Sequence, residues 1–209
     1  NILCFGDSNT WGYKPDKSGR YDENIRWTGL LQKKLGSGYH IIEEGLCGRT
    51  TVFQDELREG RRGLDLIGVT VEMHNPIDLM IIMLGTNDCK TRYRASASVI
   101  AKGLDQVIRK ARQNASRHLI ACHLANPPGR CVGDADFDPE FDAASVAVSE
   151  IWLMNTAMIA LQNHAAFLNA SDFAAPSVTD REHMDEKVMP HWLMQFIIRS
   201  LPCKKDSPM

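Results

Sequence analysis

The sequence has no strong excess of charge of either sign. Its 24 Lys and Arg stand against 26 Asp and Glu, for a formal net charge of −2. Nothing electrostatic therefore points to nucleic acid or an anionic membrane as a partner. No apolar run approaches the roughly 18 residues that a membrane span requires; the longest, such as Leu79 to Leu84, are strand-sized. The six cysteines, Cys4, Cys47, Cys89, Cys122, Cys131 and Cys203, lack any paired metal-ligand spacing such as C-x-x-C. Several lie in or beside apolar strand candidates, where a free thiol behaves as a small hydrophobe. Neither a metal site nor a disulfide scaffold is expected. Repeats, low-complexity segments and a second-domain boundary are also missing. Residues 1–201 read as a single domain, followed by a polar, frayed tail from Pro202 to Met209. The first residues are already strand-like and show no signal peptide, so a cytoplasmic location is the expectation; a homo-oligomer stays open.

What is present is an ordinary globular composition, 44% hydrophobic and 24% charged, in a chain of 209 residues that can bury one good core. Short apolar runs at Ile2–Phe5, Tyr39–Ile42, Leu79–Leu84, His118–Leu124 and Ala166–Leu168 have strand length. Between them, Ile25–Leu35, Leu64–His74, Ser98–Gln113 and Phe141–Gln162 carry helical spacing, and Pro190–Leu201 reads as a last helix. Near-continuous apolar strands alternating with helices imply a parallel sheet covered on both faces. The expectation is an α/β fold: a three-layer α/β/α sandwich with a five-stranded, flavodoxin-like sheet and right-handed crossovers.

In such a sheet the carboxyl ends of the strands form one rim, where sites gather. Gly6-Asp7-Ser8-Asn9 follows the first strand candidate, Glu43 through Thr50 the second, and Gly85-Thr86-Asn87-Asp88 the third. Alone, Gly-Asp-Ser and Gly-Thr-Asn-Asp read as turns, since these residue types favour turns. The functional alternative makes Ser8 a nucleophile and Asn87 a hydrogen-bond donor to developing negative charge. Far downstream, Asp180-Arg181-Glu182-His183 sets an aspartate three residues before a histidine. Such a pair can orient an imidazole that takes a proton from serine, although a lone loop of this composition would read as solvated.

Taken together and in this order, the four segments resemble the SGNH hydrolases, the GDSL family of esterases and lipases. The longer strings Thr10-Trp11-Gly12, Arg26-Trp27-Thr28-Gly29, Glu43-Glu44-Gly45-Leu46 and Ile81 through Asp88 look closest to its arylesterase and acyltransferase branch. The resemblance implies a serine esterase for small carboxylic esters, acetyl or short acyl and including aryl esters, with acyl transfer to alcohols as a further outcome. It implies Ser8, Asp180 and His183 as catalytic residues and Ser8, Gly48 and Asn87 as the oxyanion hole. It implies a small ester as substrate and requires no metal and no organic cofactor. A carbohydrate acetylesterase, a thioesterase or a lysophospholipase on the same scaffold stands as the alternative, and a non-catalytic anion-binding module as the more distant one.

The chain also departs from the pattern. Asn9 stands where the family name has leucine, and Glu182 where an apolar residue is usual. That carboxylate would either raise the pKa of His183 or compete with Asp180 for its ring nitrogen. Pro190 moves the expected start of the closing helix, because proline is tolerated at a helix start and not inside. Asp172 is a rival orienter for His183. Trp11 and Trp27 are candidate pocket residues, though aromatics near a rim more often pack. Arg58, Arg61 and Arg62 form a basic cluster that could meet an anionic substrate group but reads more readily as a solvated loop. Asn126-Pro127-Pro128-Gly129 reads as a rim loop, and the chain from there to Pro139 as a pocket wall. Cys47 and Cys89 flank two of the predicted oxyanion donors.

Overall fold

The computed structural model describes residues 1–116, 120–125 and 138–189, with the backbone alone for 120–125. The rim loop expected at Asn126–Gly129, most of the wall up to Pro139, the closing helix and the tail lie outside the described residues. Five strands, β1 (Ile2–Gly6), β2 (Ile41–Gly45), β3 (Leu79–Met83), β4 (Ile120–Ala125) and β5 (Ala166–Asn169), form one parallel sheet in the order β2-β1-β3-β4-β5. The expected five-stranded α/β architecture is therefore what the chain adopts. Five helices intervene: α1 (Ser8–Trp11), α2 (Trp27–Leu35), α3 (Gly63–His74), α4 (Ala97–Asn114) and α5 (Ala143–Gln162).

Strand side chains alternate between the two faces with period 2. Ile2, Cys4, Leu79, Ile81 and Met83 point to one side, where Trp27 and Leu31 of α2 and Met184 complete a core. Leu3, Phe5, Met80 and Ile82 point to the other, against Ile67 and Val71 of α3 and Leu104, Val107 and Ile108 of α4. Because both faces are covered, β1 and β3 are apolar without interruption and fully buried. Each buried Leu, Ile or Phe contributes about 1.5–3 kcal/mol.

Several boundaries differ from the sequence reading, each for a physical reason. β2 runs to Gly45 instead of ending at Ile42, so Glu43 and Glu44 belong to the strand. Their backbones pair in register with Cys4 and Phe5. Arg26 and Arg20 neutralise the charge of Glu43 from outside the sheet, and His74 Nε2 lies 2.9 Å from Glu44 Oε1. The four-residue helix α1 is too short to show periodicity in sequence. Helix α5 starts two residues later than expected because Asp142 is its cap, joined to Ser145 in a capping box. At 20 residues, α5 is by length and composition the one helix among the described residues apolar enough to cross a membrane. Polar residues such as Ser149, Glu150 and Asn155 hide that stretch from a search for unbroken apolar runs. Here Trp152, Thr156 and Ala160 bury one of its sides.

The sheet order places the chain reversal at β1: the chain passes first to β2 on one side and then to β3 on the other. The crevice beyond the carboxyl ends of β1 and β3 is the topological switch point, where open α/β sheets hold their ligands. Gly85, just past β3, has φ +124°, and a Cβ there would lie 2.2 Å from Cζ2 of Trp152 on α5. Gly85→Ala should therefore destabilise the fold by about 1–3 kcal/mol through overpacking, read as a lower urea midpoint with an unchanged slope. An unchanged midpoint would mean that Trp152 can withdraw at no cost.

Candidate active site

Ser8 opens α1 directly after β1. Asp7 caps that helix, its Oδ1 accepting from the Asn9 amide at 3.0 Å. His183 arrives from 175 residues away, and the Ser8 hydroxyl donates to its Nε2 at 2.8 Å. On the far side of the ring, Nδ1 donates to Asp180 Oδ2 at 2.6 Å. An ionised carboxylate only accepts, so this bond fixes the Nδ1–H tautomer and leaves Nε2 as the base toward Ser8. The other oxygen of Asp180 accepts from the backbone amides of Glu182 and His183, both at 3.0 Å. One carboxylate thus orients the imidazole and shapes the loop that carries it.

Asp172 does not compete: it accepts from Asn169 in the 3₁₀ turn after β5. Glu182 does not displace Asp180 either, since its Oε2 lies 4.0 Å from His183 Nδ1. Burial alone would lower the pKa of His183, but Glu182 and Asp180 outweigh it and hold it above the usual 6.5. Burial is the largest single influence on Asp180 and would raise it, yet the hydrogen bond and charge of His183, with the backbone amides of His183 and Glu182, together keep it below the ordinary carboxylate value.

Ser8, Gly48, Asn87, Asp180 and His183 all line one cavity of about 320 Å³, at the small end of small-molecule sites. Asn87 follows β3 in a 3₁₀ turn and donates through Nδ2 to the Arg49 carbonyl at 3.2 Å. That bond aims the amide while leaving its second N–H available. Gly48 sits at φ +81°, where side chains are rarely tolerated, and a Cβ would lie 2.4 Å from Nη2 of Arg58. Beneath the site, buried Arg49 donates through Nη1 to the carbonyls of Gly6 and Glu44 and lies 4.0 Å over the Phe5 ring. It ties the carboxyl ends of β1 and β2 together; burial pulls its guanidinium down to about 10.

Other expectations are corrected. Trp27 is fully buried in the core. Trp11 packs under Arg20, whose guanidinium lies 5.3 Å from its ring. Neither is among the described residues that line the cavity. The aromatic residue that does is Tyr13, its ring 4.7 Å from that of His183. Arg58 is not simply solvated: it covers Gly48 and ends a chain of charges along the cavity wall. Asp55 pairs with both Arg58 and Arg92, and Glu140 pairs with Arg92 and with Lys90. Lys90 is buried, and that burial, with Arg58 nearby, lowers its ammonium to about 8. Cys47 also faces the cavity, its thiol pushed up to about 11 by burial and Asp7, while Cys89 is buried. Apart from Asp55–Arg58, these pairings join segments far apart in sequence, so no local signal marked them.

Asn9 carried a signal, its departure from leucine, and has a clear task. Its Oδ1 accepts from the Met184 amide at 2.9 Å and its Nδ2 donates to the Glu182 carbonyl at 3.5 Å. The residue after Ser8 therefore grips the loop on both sides of His183. Asn9→Leu should lower kcat by on the order of 10- to 100-fold, the effect of a small misplacement of the base. Asn9→Asp, which keeps the acceptor for Met184, should lose less. Steady-state kinetics on a small aryl ester measures both.

The model of the GDSL-like lipase/acylhydrolase family matches residues 4–188. Est24, a carbohydrate acetylesterase from Sinorhizobium meliloti, is similar in structure with a TM-score of 0.86 and 30% identity, covering 93% of this chain and 95% of that one. The inhibitor-bound aryl esterase of M. smegmatis gives a TM-score of 0.87 at 28% identity, covering 93% of this chain and 95% of that one. No curated protein sequence matches.

Proposed function

This chain belongs to the GDSL-like lipase/acylhydrolase family and is an ester-hydrolysing enzyme, and from that premise we propose that it cleaves small acyl esters, acetates foremost, through an acyl-enzyme on Ser8. The observation that carries this reading is the unbroken hydrogen-bond chain Ser8–His183–Asp180, at 2.8 and 2.6 Å, inside one small cavity with Gly48 and Asn87.

His183 takes the Ser8 proton through Nε2 as the oxygen attacks the ester carbonyl, and Asp180 stabilises the imidazolium that forms. The carbonyl oxygen, now negative, is held by the backbone amides of Ser8 and Gly48 and the side-chain amide of Asn87. The imidazolium returns its proton to the leaving alcohol. A water, or an added alcohol, then gives its proton to His183 as its oxygen attacks the acyl carbonyl, and the imidazolium returns that proton to the departing Ser8 oxygen, releasing the acid or the new ester. The second outcome is acyl transfer.

Cavity size and lining support a short acyl group. Lys17, Arg58, Lys90, Asp138, Glu140 and Glu182 leave no broad apolar channel among the described residues, which argues against the long chains of a lysophospholipase. The same polar lining, with the likeness to the S. meliloti enzyme, favours a second reading in which the acetyl group sits on a carbohydrate hydroxyl.

A panel of p-nitrophenyl esters of increasing chain length, with acetylated sugars beside it, tests the proposal. Acetate should be turned over fastest. Ser8→Ala should lose at least about 10³-fold in kcat, and Asn87→Ala about 3 kcal/mol of transition-state stabilisation. Unchanged hydrolysis by Ser8→Ala, or a preference for long acyl chains, would overturn it.

A further inference from the structure

Glu182 is a partly buried carboxylate that the reaction scheme above does not use. Its backbone is fully engaged, the amide with Asp180 Oδ1 and the carbonyl with Asn9 Nδ2. Among the described residues its carboxylate accepts no hydrogen bond and has no Lys or Arg within ion-pair distance. Instead it lines the cavity, with Oε2 4.0 Å from His183 Nδ1. A structural glutamate would be tied down by its oxygens; among the described residues nothing ties these down, and the charge acts through space. Its side chain is only 12% exposed, so water screens the interaction weakly.

Resting on the function just proposed, we propose that Glu182 is a positioning residue that acts through His183: a second carboxylate on the base, it stabilises the imidazolium and shifts the working range of the enzyme to alkaline pH. An opposite charge 4 to 6 Å away favours the charged form of a titrating group, and Glu182 sits at the near limit. Among the described residues, the groups facing the pair come from several segments. Asp180 shares the loop, Asp7 and Ser8 come from the start of α1, and Tyr13 lies against the imidazole. Lys90 and Asp138 face Glu182 from across the cavity. Burial raises the Glu182 carboxyl above its usual 4.5, with Asp138 and Asp180 adding to the rise and His183 and Lys90 opposing it. Glu182 and His183 therefore influence each other's titration. For His183 the balance is upward, with Glu182 the largest of the raising influences. The sign follows: the base is protonated and idle below its raised pKa, and activity appears as pH climbs through it.

The test is the pH dependence of kcat/KM on p-nitrophenyl acetate, together with an NMR titration of the His183 ring, which needs no turnover. Wild type should show an acid limb centred above 6.5. In Glu182→Gln both the limb and the ring titration should move down by about one unit, and Glu182→Asp should fall between. Glu182→Leu, apolar and of similar bulk, gives the same readout if the amide variant folds poorly. A limb and ring titration that coincide in wild type and the neutral variants would overturn the inference. Failure of the functional reading looks different: wild type itself would then hydrolyse no ester and take no serine-directed label on Ser8.

Discussion

The hydrogen bond from Ser8 to His183 is the contact on which the rest of the structure depends. It joins the start of the chain to a loop 175 residues later at 2.8 Å, the reach that the proposed proton transfer requires. Much of the local structure serves it. Asp7 caps the turn that presents Ser8, and Asp180 orients both the imidazole and its loop. Asn9 grips that loop from the nucleophile's side. The switch point of the sheet explains why such distant segments meet there.

Charged groups surround this bond. Arg58 covers Gly48 and, with Lys90, Asp180 and Glu182, lines the same cavity. In the proposed reaction negative charge develops at the amides of Gly48 and Asn87 and positive charge on His183, and groups fixed in advance around them need little reorganisation. The pairs Arg58–Asp55–Arg92–Glu140–Lys90 hold Arg58 and Lys90 in place and make the cavity polar.

The sheet was readable in the sequence because buried parallel strands are apolar without interruption, as in Ile2–Phe5 and Leu79–Leu84. β2 was misjudged because Glu43 and Glu44 look like loop residues until Glu43 is seen to pair with Arg26 and Arg20 and Glu44 to lie against His74. Ser8, Gly48, Asn87, Asp180 and His183 were recognisable by order and type, and the fold brings all five to one cavity. Their supporting residues were hidden for a common reason. Trp27 looks like a pocket residue and Arg58 like a solvated one, because burial and pairing are decided by segments that local patterns do not connect. Asn9 shows the reverse case: a departure visible at once whose meaning, a grip on residues 182 and 184, appears only in three dimensions.

The central claim, that Ser8 is a nucleophile activated by His183, is tested most directly by covalent labelling with a fluorophosphonate followed by peptide mapping. The account predicts one phosphonyl group per chain, on Ser8, with activity lost in step with labelling and the labelling rate falling as His183 becomes protonated. Full activity with Ser8 unmodified, or inactivation through a label on any other residue, would contradict it.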